Sequence, residues 1–363
     1  MNITSCSFKA PSKRNPTISI AKAMGIILMV IGHSGCPQWL HNYIYMFHMP
    51  LFFFCSGYFF KPINNLSQII SFSKRKIKGL YLPYIKWSIA FLLLHNIFFT
   101  LNIYNSLYGY NNIVSQPYSA IDFIKRFLNI VLTMRGEEQL LGGFWFLRVL
   151  FLSSILFTII SRLRNKYQIG HPITMICLLC ILYLTKISHL HVPIIGDIPL
   201  ICYGIIFLYL GYLYKQIEKI SFYKISTFLL LSSCVLIGSY SNYSNMLKYE
   251  YTNIVSYIFF ASIGILSIFC ISSILAKQKI ANSLIYIGDN TMIILSLHFL
   301  SFKLISLFKI FIYDLSFTKL ACFPVINEYN HIFWTVYSII GICLPLLLLN
   351  LYRKLKNKFN ITI

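Results

Sequence analysis

The chain has 363 residues, of which 57% are hydrophobic and 11% charged, with a mean hydropathy of +0.70 and a formal charge of +22. A soluble domain carries about 25% charged residues, so this chain cannot cover a water-facing surface and is read as a polytopic membrane protein of the all-α class. The basic residues stand in short runs between long apolar segments, the pattern that orients a membrane protein, which argues against nucleic acid as a partner.

The first 17 residues are polar and basic, without the apolar core of a cleavable signal. A span needs about 20 mostly apolar residues. Ten segments qualify in chain order: 18–36, 42–60, 80–101, 143–161, 172–190, 198–214, 225–241, 253–275, 284–302 and 332–351. With the N-terminus in the cytoplasm, the inside segments collect Lys9, Lys13 and Arg14, then Lys61, Lys74, Arg75, Lys76 and Lys78. They go on to collect Arg162, Arg164 and Lys166, Lys215, Lys219 and Lys224, Lys277 and Lys279, and finally Arg353, Lys354, Lys356 and Lys358. That is 20 of the 31 Lys and Arg residues, and a wrong span count would scramble the alternation. The outside loops carry Asp122, Glu137, Glu138, Asp197, Glu250, Asp314 and Glu328 instead.

The expected architecture is therefore a bundle of about ten transmembrane helices with both termini cytoplasmic. Residues 1–17 form an inner segment, 18–352 one membrane domain, and 353–363 a basic inner tail. The longest outside segments, 102–142 and 303–331, are too short for a separate domain. Residues 115–134 are expected to hold an amphipathic helix on the outer surface.

Ten cysteines suggest no framework. Most lie within spans, where a free Cys is a common small hydrophobe, and the pair Cys177 and Cys180 falls short of the four ligands of a closed zinc site, so no metal is expected. Cys36 and Cys322 both fall on the outer side and could pair.

Polar groups inside the spans carry the functional question, because a titratable side chain in hydrocarbon needs an escape or a role. Lys22 and His33 share a face of span one: eleven residues at ~100° each make three turns plus ~20°, with a rise of ~16 Å. His48 in span two, Trp145 and Arg148 in span four, and His298 in span nine all fall in the outer part of the membrane. Plainer readings stand beside the functional one. Lys22 and Lys86 can snorkel, and a lone His can bond across helices as a packing group. Arg148 can pair with Glu137 or Glu138, and the "CSGYF" stretch at 55–59 reads as a close-packing site.

These residues sit in segments that together resemble acyltransferase family 3, the integral-membrane O-acyltransferases of bacteria. The Lys22–His33 pair with "GHS" at the end of span one resembles the family's basic residue, ten residues, His signature. "IYMFHMPLFFFCSGYFF" (44–60) is similar to its second helix, and "KRKIKGLYLPY" (74–84) to its basic loop with a Pro-Tyr entry into helix three. "FWFLRVLF" (144–151) resembles its WFL segment and "IYIGDNTMIILSLHFL" (285–300) its late helix leading to a His. The resemblance covers essentially the whole chain and is to the form without a fused outer domain. It implies His33 as the catalytic residue with Lys22 beside it, and acyl-CoA phosphates held at Arg75 and Lys78. It implies no role for Arg148, and Ser19 stands where many members carry Asp.

The residue chemistry fits. Moving an acyl group from a thioester to a sugar hydroxyl needs a base of near-neutral pKa, which His supplies, either by deprotonating the acceptor or by carrying the acyl group. Lys74, Arg75, Lys76 and Lys78 form the densest basic cluster and suit the polyanionic end of CoA. His48, Trp145, Arg148 and His298 are candidates for orienting the acceptor or stabilising the oxyanion. The expected protein is a bacterial inner-membrane O-acetyltransferase that uses acetyl-CoA and acts on a surface polysaccharide, such as O-antigen, or its lipid-linked precursor. A transporter or flippase of a polar substrate, a His-gated channel and a purely structural bundle are the alternatives. The sugar and the hydroxyl are not readable from the sequence.

Overall fold

The computed structural model describes residues 15–63, 65–108, 114–136, 138–193, 195–217, 224–241, 243–248 and 253–359. Lys9, Lys13, Arg14, Glu137, Lys219 and Glu250, named above, lie outside them. Among the described residues the only strands are the two-residue β1 (His191–Val192) and β2 (Gly196–Asp197), an antiparallel pair. Everything else that is regular is helical.

Local chemistry decides where each helix starts and breaks. Helix α1 (Pro16–His33) opens on Asn15, whose side chain accepts the Thr17 N–H at 3.0 Å, with Pro16 in the first turn. The second expected span is two helices, α2 (Gln38–Tyr45) and α3 (His48–Tyr58). Pro50 has no N–H to return to Met46, so the helix is interrupted just there. The third runs longer than expected, through α4 (Leu66–Lys76), a π-helical segment (Ile77–Tyr81) and α5 (Leu82–Thr100). Pro83 cannot donate to Gly79, and the wider π turn falls at that point.

Helix α6 (Ala120–Thr133) begins on a capping box between Ser119 and Asp122. Hydrogen bonds from Ser119 hold the Asp122 carboxyl below the usual carboxylate range. The helix is amphipathic as expected, with Ile121, Ile124, Phe127, Leu128 and Leu132 exposed. It runs antiparallel along the α5 span rather than lying on the outer surface as expected: Tyr81 donates to Val131 O (2.7 Å) at one end, and Asn96 bonds the backbone of Tyr118 at the other.

Helices α7 (Trp145–Lys166), α8 (His171–Ile187), α9 (Ile198–Ile217), α10 (Ile225–Ser241) and α11 (Ile254–Leu275) follow the expected order. The ninth expected span, 284–302, is displaced. A short α12 (Ala281–Asp289) ends at Asn290, and α13 (Thr291–Tyr313) then runs well past the predicted end. Helix α14 (Phe333–Lys358) carries the basic tail as a continuation of the helix.

Among the described residues seven helices, one of them the α4–α5 run, are long and apolar enough to cross a membrane. Helices α8 and α10 are shorter apolar ones, and the broken α2–α3 pair accounts for the tenth expected passage. Leu230, Ile237 and Val255 are 71%, 71% and 78% exposed, which a chain can sustain only where hydrocarbon covers them.

Glycines set how closely the helices approach. A Cβ on Gly57 of α3 would strike the carbonyl of Leu208, and one on Gly211 of α9 would strike the carbonyl of Phe54. Each glycine thus faces the residue three before the other, the small-residue contact by which helices associate in a membrane. Helices α13 and α14 pair antiparallel, Phe302 meeting Tyr337 (ring centroids 5.5 Å) while Arg353 donates to Asn290 Oδ1 (2.9 Å). Replacing Gly57 with Val is expected to destabilise the bundle by about 3 kcal/mol or more, because the obstacle is backbone on a neighbouring helix. Mild-detergent thermal unfolding of the variant beside the wild type measures this.

Candidate active site

His33 is the last residue of α1, half-buried. Ser34 closes the helix, its hydroxyl and its N–H both donating to Ile31 O, and Gly35 then turns the chain away at φ +75. Gly32 lets the Tyr45 ring lie against α1, where a Cβ would come within 2.9 Å of it. The Tyr45 hydroxyl shares a 3.2 Å hydrogen bond with His33 Nδ1.

Tyr45 is a hub. The His48 ring is 4.8 Å from it and the His41 ring stacks on it at 3.9 Å. On the other side of His33, the His298 ring is stacked at 5.7 Å, and Phe299 lies 5.0 Å away. The structure therefore brings together three of the histidines singled out in the sequence and adds two residues, Tyr45 and His41, that were not. A signal for them existed: in "HNYIYMFH" the residues 41, 45 and 48 are spaced four and three apart, one face of a helix.

The hydrogen bonds fix what these rings can offer. His48 Nδ1 donates to Ile44 O (2.9 Å), and His298 Nδ1 to Ile294 O (3.1 Å) and Leu295 O (3.0 Å). Each ring therefore keeps its proton on Nδ1 and presents a lone pair at Nε2. His298 Nε2 is buried and has no hydrogen-bond partner among the described residues.

The remaining candidates lie elsewhere. Lys22 is half-buried on the α1 face below His33. Ser19, one turn before it, donates to Asp289 Oδ1 (3.0 Å), so a carboxylate from the end of α12 reaches the place where the first helix lacks one. Arg148 does not join the histidines. Its guanidinium donates to Ile195 O in the β1–β2 turn, beside Gly196. Trp145, the first residue of α7, has its ring against Phe146. Glu138, offered above as a partner for Arg148, is instead buried with His95 at 2.7 Å, both side chains 0% exposed. Cys36 and Cys322 are free thiols; burial pushes Cys36 up to about 11 and raises Cys322 as well.

The basic cluster borders a cavity of about 680 Å³ between α3, α4 and α7. Lys61, Arg75 and Lys76 line it with Ser56, Ser154, Phe60, Phe72, Phe157 and Leu208 among others, and no acidic residue does. Lys76 Nζ donates to Ser56 Oγ (2.9 Å) and lies 5.4 Å from the Phe72 ring. Lys61 and Arg75 also line an adjoining cavity of about 290 Å³. Lys74 and Lys78 are exposed and line neither. An open, cationic mouth leading to apolar walls suits a ligand with a polyanionic head and a long uncharged arm. Among the described residues, no group of three or more His, Cys, Asp or Glu is arranged to hold a metal ion.

Removing the Glu138 carboxylate as Glu138→Ala is expected to cost about 3 kcal/mol or more, because it strands His95 in a dry site. Urea unfolding in detergent measures the loss.

A family model described as an acyltransferase domain matches residues 15–350, nearly the whole chain. No curated protein and no solved structure matches it.

Proposed function

We propose a function from one premise: the chain belongs to the acyltransferase family whose domain it matches, and it is a membrane acyltransferase. The acyl group, acetyl in the simplest case, comes from acyl-CoA at the basic, cytoplasmic end. It passes to a hydroxyl of a sugar in a cell-surface polysaccharide, such as O-antigen, or in its lipid-linked precursor, across a bacterial inner membrane.

The observation that carries this reading is the position of His33: half-buried at the end of α1, hydrogen-bonded by Tyr45, and stacked against His298. For base chemistry at Nε2, the His33 Nδ1–H donates to the Tyr45 oxygen. The acceptor hydroxyl then gives its proton to Nε2 as its oxygen attacks the thioester carbonyl carbon. When the tetrahedral intermediate collapses, the C–S bond breaks and the imidazolium returns that proton to the CoA sulfur. While it carries that proton, the imidazolium keeps its Nδ1–H on the Tyr45 oxygen.

At the other end, the cavity bordered by Lys61, Arg75 and Lys76 supports a site for the phosphates of CoA. Arg75 and Lys76 hold the phosphates there, and Lys74 and Lys78, exposed and outside the lining, do not. Ser19 and Asp289 support a role for Lys22 in the same lower part of α1, where Ser19 is hydrogen-bonded to a carboxylate.

In membranes given radiolabelled acetyl-CoA and envelope glycans, wild type is expected to label glycan, and His33→Ala to lose about 10²–10⁴-fold of that activity. Equal labelling by both would remove His33 from the chemistry. Arg75→Gln and Lys76→Gln are each expected to raise KM for acetyl-CoA about tenfold with kcat little changed, as loss of one charge-assisted contact predicts. Initial-rate kinetics at saturating glycan separate the two parameters.

A further inference from the structure

The segment between α13 and α14, residues 314–332, is tied down by side chains that the proposed chemistry does not use. Lys303 Nζ donates to Leu320 O (2.9 Å) and Cys322 O (2.8 Å), and Lys309 Nζ donates to Ile326 O (2.8 Å). Both lysines are buried, 4% and 0% exposed, and these bonds go to backbone carbonyls rather than to carboxylates. The Lys309 ammonium also lies 5.2 Å from the Phe333 ring and 5.8 Å from the Tyr337 ring. A buried ammonium is costly, so two of them on one helix, spent on one loop, mark a loop whose position matters.

The far end of the loop is held to α1. Asn330 Nδ2 donates to Ser34 O (3.2 Å) and Gly35 O (2.9 Å), the two residues that follow His33. Between the two anchors, the Phe323 ring packs on Phe299 at 4.7 Å. Phe299 in turn lies 5.0 Å from His33 and 3.9 Å from His298. The loop therefore straps the helices that carry the two histidines and lays the Phe323 ring on Phe299, the side chain that lies against both.

We infer that Phe323 is the residue that keeps water from the His33–His298 pair, with Lys303 as the positioning residue that holds it there. The inference rests on the reading of His33 as the acyl-transfer residue. An acyl group poised for a sugar hydroxyl is open to the same attack by water: the water oxygen bonds to the carbonyl carbon, the C–S bond breaks, one proton of the water goes to the CoA sulfur, the other to solvent, and the acid leaves as carboxylate. Discriminating between the two hydroxyl donors requires that bulk water be shut out until the acceptor is seated. A phenylalanine packed over Phe299 does that without competing for the base.

The test uses the full-length protein in nanodiscs and two readouts. The first is carbethoxylation by diethyl pyrocarbonate, followed residue by residue by peptide mass spectrometry. Phe323→Ala and Lys303→Met are expected to raise modification of His33 and His298 several-fold, with Phe323→Leu near wild type and the exposed His189 and His331 unchanged in all. Unchanged rates at His33 and His298 in both variants, or an equal rise at His189 and His331, would overturn the inference. The second readout is CoA release from acetyl-CoA with no glycan present, expected to rise in Phe323→Ala. If modification rises while no form of the protein releases CoA or labels glycan, the shielding stands and the acyl-transfer reading falls.

Discussion

An imidazole that gives its Nδ1 proton to a nearby backbone carbonyl has only a lone pair left to offer. Two histidines of this bundle, His48 and His298, are held that way, one beside Tyr45 and the other stacked on His33. In an apolar interior the backbone is the one source of acceptors available at every turn, so a buried histidine can be satisfied there without importing a charge. The same device appears on a larger scale in Lys303 and Lys309, whose ammonium groups are met by carbonyls of the loop beyond α13. Polar function at this depth is thus built from neutral partners.

The packing makes that possible. Gly32 opens the space for Tyr45, and the facing glycines of α3 and α9 bring those two helices into backbone contact. The break before Pro50 has a functional consequence: it places His48 at the first position of α3, with Ile44 of the preceding helix within reach of its Nδ1. Across the break, Tyr45 at the end of α2 reaches His33 and the His48 ring lies against it.

What the sequence made legible was periodic. The Lys22–His33 spacing on one helix face, the run of basic residues at 74–78 and the amphipathic pattern within 115–134 all follow from counting residues along one element; the structure has Lys22 and His33 on one helix and an amphipathic helix at Ala120–Thr133, set against α5. What it hid depended on a second element. Arg148 looked like a member of the site because depth alone was counted, yet its guanidinium turns to the 191–197 turn. Lys303 fell just outside the expected span 284–302; its partners, Leu320 and Cys322, are 17 and 19 residues away on a loop with no period. Tyr45 and His41 carried a helical spacing but no charge to draw attention to it.

The central claim is that donor and acceptor are handled at opposite ends of the bundle, with the basic cavity at one and His33 toward the other. Proteoliposomes with the basic end facing outward, acetyl-CoA added only outside and deacetylated envelope glycan sealed inside, test it directly. The account predicts that radiolabel appears on the enclosed glycan while labelled acetyl-CoA itself stays outside. Label appearing only when glycan and acetyl-CoA share a compartment would contradict it.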